Sequence, residues 1–366
     1  AAFAEACETA GIAFVGPTPE QLRVFGLKHT ARALAKQHGV PMLEGTELLE
    51  NLDAALKAGE AVGYPVMLKS TAGGGGIGMR VCRSAEELSD AFEAVKRLGQ
   101  NNFSDSGVFI EKYIQRARPL EVQVFGDGQG EVLALGVRDC SVQRRNQKII
   151  EESASPLLDR EQTDELKAAA ERLALAVGYS GAGTVEFLYH PQDRAFAFLE
   201  VNTRLQVEHP ITEVTNDFDL VKAQIHVAAG NRLTDRPTEF GHAVEARLNA
   251  EAPDRDCAKK TGMITRLDLP AGPGIRVDTG VAEGDRIPAD FDSMIARIIA
   301  YGRNRTEALG RLRRAMNETT VVIDGGATNK SFVLELLDQP EVVGADGVEW
   351  ADTGWIDRVR GEGRLV

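Results

Sequence analysis

The sequence predicts a compact α+β protein, and three observations carry that prediction. Two pairs of alternating apolar stretches are joined by short turns: residues 120–125 with 131–137 across Asp127-Gly128, and 184–188 with 195–201 around Pro191 to Arg194. Each pair reads as an antiparallel hairpin. Helical patterns over 164–177, 220–229 and 305–317 supply the covering layer. No internal repeat or low-complexity linker interrupts the 366 residues, a length that suits two or three packed units.

In chain order, residues 1–16 read as a helix, a turn at Gly11 and a short strand over 12–15, one unit without its neighbours. A helical pattern then runs over 18–38, opened by Pro19 and Glu20 and closed by Gly39. Residues 64–69 form a short apolar strand that delivers Lys69 to a run with five glycines in the six residues 73–78. A return strand follows over 79–82, and Ser84 caps a helix through Leu98, with Glu87 placed for a capping box. A strand over 108–114 closes this unit. The helix over 164–177 ends at Gly178. Beyond Pro210 come a helix over 220–229, a strand over 243–248, a Gly/Pro turn at 271–274 and a strand over 275–278. The tail reads as helix, strand, helix over 305–317, 320–323 and 329–337.

Composition excludes several classes of function. A net charge of -13 argues against general nucleic-acid binding, which needs a cationic footprint. No run of about 18 apolar residues is present to span a bilayer. The first residues lack the basic flank of a signal peptide, and they lack an initiator Met. Cys7, Cys82, Cys140 and Cys257 lie far apart with no C-x-x-C pair, as expected of reduced thiols in a cytoplasmic protein.

The chemistry concentrates in three places. The glycine run sits between two strands and lacks G-K-[ST], so neither a Walker loop nor a dinucleotide fingerprint applies. A glycine hairpin tip can still fold bare N–H groups around phosphate oxygens and move as a lid, and Lys69 adds a cation. Glu186 and Glu200 lie on the two arms of the second hairpin. With a five-residue loop they stand directly opposite, Cβ atoms about 5 Å apart. Two such carboxylates call for a cation, and Mg²⁺ suits them, with Asn202 as a third oxygen; the alternative is a solvated face with Lys or Arg partners. Arg204, Gln206 and Glu208 continue the alternation: a guanidinium for a planar anion, an amide for its remaining oxygen, and a base. His209, before Pro210, reads as a structural donor rather than a catalyst. The basic run 144–148 reads as surface.

These motifs occur in a recognisable order. Lys69 with the glycine run, Glu111-Lys-Tyr113, Arg138-Asp-Cys-Ser-Val-Gln-Arg-Arg-Asn-Gln-Lys148 with Glu151 and Glu152, the stretch 200–210, and Asp292-Ser-Met294 together resemble the ATP-grasp biotin carboxylase component of biotin-dependent carboxylases. The resemblance implies an ATP-grasp fold, a glycine-lid subdomain with a larger mixed α/β domain. It divides the chain into a remnant of a Rossmann-like lobe over 1–25, a linker helix over 26–41, the lid over 42–114, the catalytic core over 115–240 and a C-terminal region over 241–366. The implied reaction joins ATP, bicarbonate and biotin to give carboxybiotin, ADP and phosphate.

The resemblance also implies roles. Lys28, Lys69, Gly74, Gly75, Gly76, Glu111, Lys112, Ile114 and Gln143 match nucleotide-binding positions, and Glu186, Glu200 and Asn202 a Mg²⁺ or Mn²⁺ site. Arg204, Gln206 and Val207 match the bicarbonate pocket, Glu208 the base, Lys148 a phosphate contact and Arg276 the arginine that stabilises the biotin enolate. Implied partners are a biotin carboxyl carrier and a carboxyltransferase within a larger oligomer, since no Met-Lys biotinylation site occurs in the chain. Pro119 and Asn146 stand where the family usually has His. Asn146 and residues 25–32 resemble urea carboxylases, whereas residues 351–358 resemble acyl-CoA carboxylases, here the favoured branch. An ATP-grasp ligase acting on an amine and an inactive assembly module are the competing readings.

Overall fold

The computed structural model describes residues 1–71, 78–103, 107–234 and 236–365. The chain begins with α1 (Ala2–Thr9), α2 (Pro19–Gly26), α3 (Lys28–Gln37) and α4 (Leu52–Val62). Then come β1 (Val66–Ser70), β2 (Met79–Cys82), α5 (Ala85–Phe103) and β3 (Val108–Lys112), with the three strands in antiparallel order β2-β1-β3. Val66, Leu68 and Ile110 from this small sheet pack with Leu88, Phe92 and Val95 of α5 in a core of their own.

The rest of the chain builds one large sheet and two small ones. The elements are β4 (Arg118–Asp127), β5 (Val132–Arg144), β6 (Gln147–Ser153), α6 (Arg160–Leu175), β7 (Ser180–His190) and β8 (Ala195–Asn202). They continue through α7 (His209–Asn216), α8 (Leu220–Ala228), β9 (His242–Asn249), and the short β10 (Glu251–Ala252), β11 (Ala258–Lys259) and β12 (Met263–Asp268). The last are β13 (Ile275–Thr279), β14 (Met294–Gly302), α9 (Arg305–Glu318), β15 (Thr320–Asp324), α10 (Lys330–Leu336), α11 (Pro340–Val343) and α12 (Trp355–Gly361). Eight of the strands join in the order β13-β14-β9-β6-β5-β4-β7-β8, each antiparallel to its neighbour. The two small sheets pair β10 with β11 and β12 with β15.

The alternation along central strands fixes which face of this sheet is oily. Leu120, Val122 and Val124 of β4 pack with Leu166, Ala169 and Leu173 of α6. In the other half, Val244, Ala246 and Leu248 of β9 pack with Leu312, Ala315 and Met316 of α9. Each of these fully buried leucines contributes about 1.5–3 kcal/mol. The interleaved residues Glu121, Gln123, Glu245 and Arg247 therefore belong to the opposite face. Glu121, Gln123 and Glu245 are buried and Arg247 half-buried on this face, where α7 packs across β5, β6, β9 and β14.

Four expectations need correction. Residues 12–15 form no strand, because no described strand runs beside them to share a ladder. The pattern over 18–38 is two helices, since Leu27 is extended (φ -109°, ψ 124°) and the Lys28 N–H turns out to Thr71 O at 3.2 Å. Ser84 Oγ does accept the Glu87 N–H, but the Glu87 carboxylate accepts from Arg83 N at 2.9 Å, one residue ahead of the capping-box position. The basic run 144–148 is surface only in part: Arg145, Asn146 and Gln147 are exposed where Arg145 and Asn146, at φ 49° and 62°, make the tight turn from β5 into β6, whereas Arg144 is buried. Among the described residues, no helix is long and apolar enough to cross a membrane.

Candidate active site

Glu186 on β7 and Glu200 on β8 stand directly opposite each other, as expected, but by a different route. His190 pairs with Ala195, so the hairpin loop holds four residues rather than five. A plain ladder would then set Glu186 against Leu199. Instead the register shifts between Phe187, which pairs with Phe198, and Glu186, so Leu199 is a bulge that restores the carboxylate pair. Asn202 Nδ2 donates to Glu186 Oε1 at 2.5 Å, and Lys28 Nζ lies 3.2 Å from Glu200 Oε2. Burial, with Glu121 and Glu200 nearby, pushes Glu186 up to about 8. Two mutually repelling carboxylates beside the Asn202 amide oxygen are a hard donor set that fits Mg²⁺ or Mn²⁺.

The small sheet faces this corner with cations. Lys69 is 5% exposed and forms an ion pair with Glu111, whose other oxygen contacts Arg32. Glu111 is thus held between two cations. Lys112 Nζ donates to Gly63 O at 2.6 Å, and Ile114, just past β3, is half-buried. Gly74, Gly75 and Gly76 lie outside the described residues. Gln143 is buried, with its amide donating to Cys140 O at 2.9 Å.

Past Asn202 the strand stops, which corrects the expected alternation: residues 203–208 leave the sheet and His209 begins α7. The turn drops Glu208, 2% exposed, into the polar face of the sheet. Its Oε1 accepts from Lys148 of β6, and its Oε2 from Arg247 Nη2 of β9 at 3.0 Å. Burial alone would push Glu208 up, but Lys148, Arg138 and Arg247 outweigh it and hold the carboxyl far below its usual range. Lys148 also donates to Glu121 of β4; against burial, these anions keep its ammonium protonated well beyond the ordinary lysine range.

Behind this pair lies Arg138 of β5, with no exposed surface. It donates to Glu121 at 3.1 Å, Gln123 at 2.7 Å, Thr184 at 3.1 Å, Thr212 at 3.0 Å and Gln206 Oε1 at 2.9 Å. Gln206 Nε2 in turn donates to Glu186 Oε1 at 3.2 Å. One side chain therefore ties the carboxylate pair of the hairpin to the charged cluster around Glu208. Arg204 differs from its neighbours: it is exposed, and among the described residues its guanidinium donates only to Leu205 O, at 3.3 Å. Arg204, Gln206, Val207, Glu208, Lys148 and Arg247 line one cavity of about 210 Å³.

Arg276 of β13 lines a separate hollow beside α7, where it donates to Glu213 at 2.7 Å and, through two nitrogens, to Asp278 at 2.9 Å. Arg297 of β14 spans the two hollows, reaching Asp278 at 3.0 Å and the Val207 carbonyl. His209 Nδ1 bonds Gln206 O at 2.7 Å, and burial pushes its pKa down, in keeping with a structural role. Glu121, Arg138 and Arg247 were absent from the sequence-based site. The signal was present, however: each is a lone charge or paired polar residue at alternate positions of an otherwise apolar strand.

Comparisons with known proteins show the family. Residues 28–236 match the family model described as carbamoyl-phosphate synthase L chain, ATP binding domain, and residues 245–358 match the biotin carboxylase C-terminal domain. The chain is 44% identical to biotin carboxylase 1 of Bacillus subtilis over 94% of its own length and 77% of that protein. It is equally, 44%, identical to the urea amidolyase of Saccharomyces cerevisiae over 92% of its length, which is 18% of that longer protein. Among solved structures, the biotin carboxylase domain of Hydrogenobacter thermophilus 2-oxoglutarate carboxylase, in complex with Mg-ADP, ADP and bicarbonate, superposes with a TM-score of 0.92. That match has 35% identity and covers 98% of this chain and 78% of the other. Two family models that together span most of the chain, with relatives of this identity and coverage, show that the chain belongs to the biotin carboxylase family of ATP-dependent ligases.

Proposed function

We propose that this chain carries out the first half-reaction of a biotin-dependent carboxylase, with Glu208 as the base and Arg204, Gln206 and Val207 around the bicarbonate. The observation that carries the proposal is the placement of Glu208: buried, ionised and in the same cavity as Arg204, while Gln206 joins that cavity to the Glu186–Glu200 pair. Glu186, Glu200 and Asn202 would hold Mg²⁺ or Mn²⁺, which supplies charge neutralisation at the ATP phosphates when bound. Lys28 and Lys69 face the nucleotide, with Glu111, Lys112 and Ile114 along its base.

Glu208 takes the proton of bicarbonate as an oxygen of the anion attacks the γ-phosphorus, giving carboxyphosphate and ADP. Carboxyphosphate then divides into CO₂ and trianionic phosphate, the phosphate takes the ureido N–H proton of biotin, and the nitrogen so freed attacks CO₂. Caged by two cations, Glu208 is a weak base. A bound anion competes for Lys148 and Arg247, and that competition raises Glu208 toward the basicity the step requires. Arg276 stabilises the biotin enolate from the neighbouring hollow. A closed site protects the short-lived carboxyphosphate from water.

The same reading places the protein in the cytoplasm, within a larger assembly that includes a biotin carrier and a carboxyltransferase. An acyl-CoA is the favoured final acceptor; urea is the second reading, favoured by Asn146 and by the urea amidolyase relative. ADP release from Mg-ATP with free biotin, measured on the complete polypeptide, should depend on bicarbonate. Release driven by an amine and indifferent to biotin would instead mark a different ATP-grasp ligase.

A further inference from the structure

Directly beneath the base, two carboxyl groups have no place in the reaction just described. Glu151 of β6 and Glu245 of β9 are cross-strand partners in the antiparallel ladder, and both have no exposed surface. Directly opposed positions bring Cβ atoms to about 4.5–5.5 Å, so the two side chains are neighbours on one buried patch of the polar face. Glu151 Oε1 accepts from Arg247 Nε at 2.6 Å. Glu151 Oε2 and both oxygens of Glu245 have no hydrogen-bond partner among the described residues. Three unpartnered carboxylate oxygens in one buried spot cannot all stay ionised and bare, because an unsatisfied buried charge is far costlier than a protonated carboxyl.

We infer that Glu245 and Glu151 share a single proton, and that the one remaining negative charge positions Arg247 against Glu208. Glu245 carries the proton and donates it to Glu151 Oε2; Glu151 keeps its charge and holds Arg247 through Nε and Nη2, and the same Nη2 reaches Glu208. Both are positioning residues, since neither lines the cavity. This role rests on the reading of Glu208 as the base, whereas the shared proton does not.

The surroundings are consistent with one charge rather than two. The charged groups acting on Glu245 are Glu151 from β6, Arg247 two residues along β9, Arg297 from β14 and Glu208 from the turn before α7. From α7 itself, His209 and Glu213 face Gln206 O and Arg276 instead. Helix α9 meets the opposite, apolar face of β9. Burial, then the Glu151 charge, pushes Glu245 well above the usual carboxylate range; burial likewise raises Glu151. A pKa raised on folding stabilises the fold fully below the unfolded value near 4.3 and loses that contribution as pH climbs through the folded value.

The test is infrared spectroscopy of the complete protein at about pH 7 with saturating Mg²⁺, where ordinary carboxylates are ionised. Glu245→Gln should remove one protonated-carboxyl C=O band, and the variant's Tm should gain on wild type as pH rises. Its kcat at neutral pH should stay within about threefold, while the alkaline limb of the kcat profile moves, an effect that a purely structural residue would not produce. If Glu245→Gln does not fold, the wild-type band itself decides, because it must persist at pH 7 and bleach only on alkaline titration. Absence of that band, or its survival in Glu245→Gln, overturns the shared proton. A lost band with an unmoved pH profile would leave the proton but remove its link to Glu208.

Discussion

The two corners of the site are built in opposite ways. The Glu186–Glu200 pair comes from one hairpin, whose strands are adjacent in both sequence and space. The Glu208 cluster draws Glu121, Arg138, Lys148 and Arg247 from four different strands of the sheet, and Glu208 itself from a turn outside it. A local device tolerates local repair, and the Leu199 bulge is one. A cage assembled over long sequence separations depends on the whole sheet, and each of its charges is buried against another. Removing one member of the cage should therefore cost more than disturbing the hairpin.

Glu208→Gln gives the largest expected effect. It keeps the shape and removes the base, so kcat should fall by roughly 10²–10⁴-fold with the KM for ATP within a few fold. Steady-state kinetics decide it, and normal turnover would take Glu208 out of the base role. Arg138→Met comes next: it leaves Glu121 with Lys148 alone of its two cations, strips the buried Gln123, Thr184 and Thr212 of a donor, and should cost about 3–5 kcal/mol of stability, read from denaturant unfolding. A loss below about 1 kcal/mol would mean that the cage is not cooperative.

Glu200→Gln probes the hairpin alone. It removes one carboxylate of the pair while the Leu199 bulge and the ladder stay in place. Divalent-cation affinity, measured by titration calorimetry with Mg-ADP, should weaken roughly 10- to 100-fold while the fold survives. An unchanged affinity would show that Glu200 is not a ligand. His209→Asn should be the mildest, with kcat changed by less than about threefold, because the asparagine can still donate to Gln206 O.

This contrast also explains how far the sequence could be read. The hairpins, the covering helices and the Glu186–Glu200 pairing follow from period-2 alternation and turn chemistry, which act over a few residues. Even there the loop length was off by one, and the pairing held only because a bulge compensated for it. Beyond Asn202 the alternation of Arg204, Gln206 and Glu208 suggested a strand. In the structure Pro210 sits in the first turn of α7, and the segment before it is a turn. Nothing in the local pattern around Glu121, Glu151, Glu245 or Arg247 says which of them will meet, because strand order β9-β6-β5-β4 is set by packing across the whole chain. Their alternation within apolar strands did mark them as residues of one polar face.

The central claim is that the two corners act on one bicarbonate, whose oxygen attacks ATP. Supplying ¹⁸O-labelled bicarbonate with Mg-ATP and biotin to the complete polypeptide, and weighing the released phosphate by mass spectrometry, tests it directly. Cleavage of carboxyphosphate between carbon and the bridging oxygen leaves one bicarbonate oxygen on phosphorus, so the account predicts singly labelled phosphate in step with ADP release. Unlabelled phosphate accompanying biotin carboxylation would contradict it.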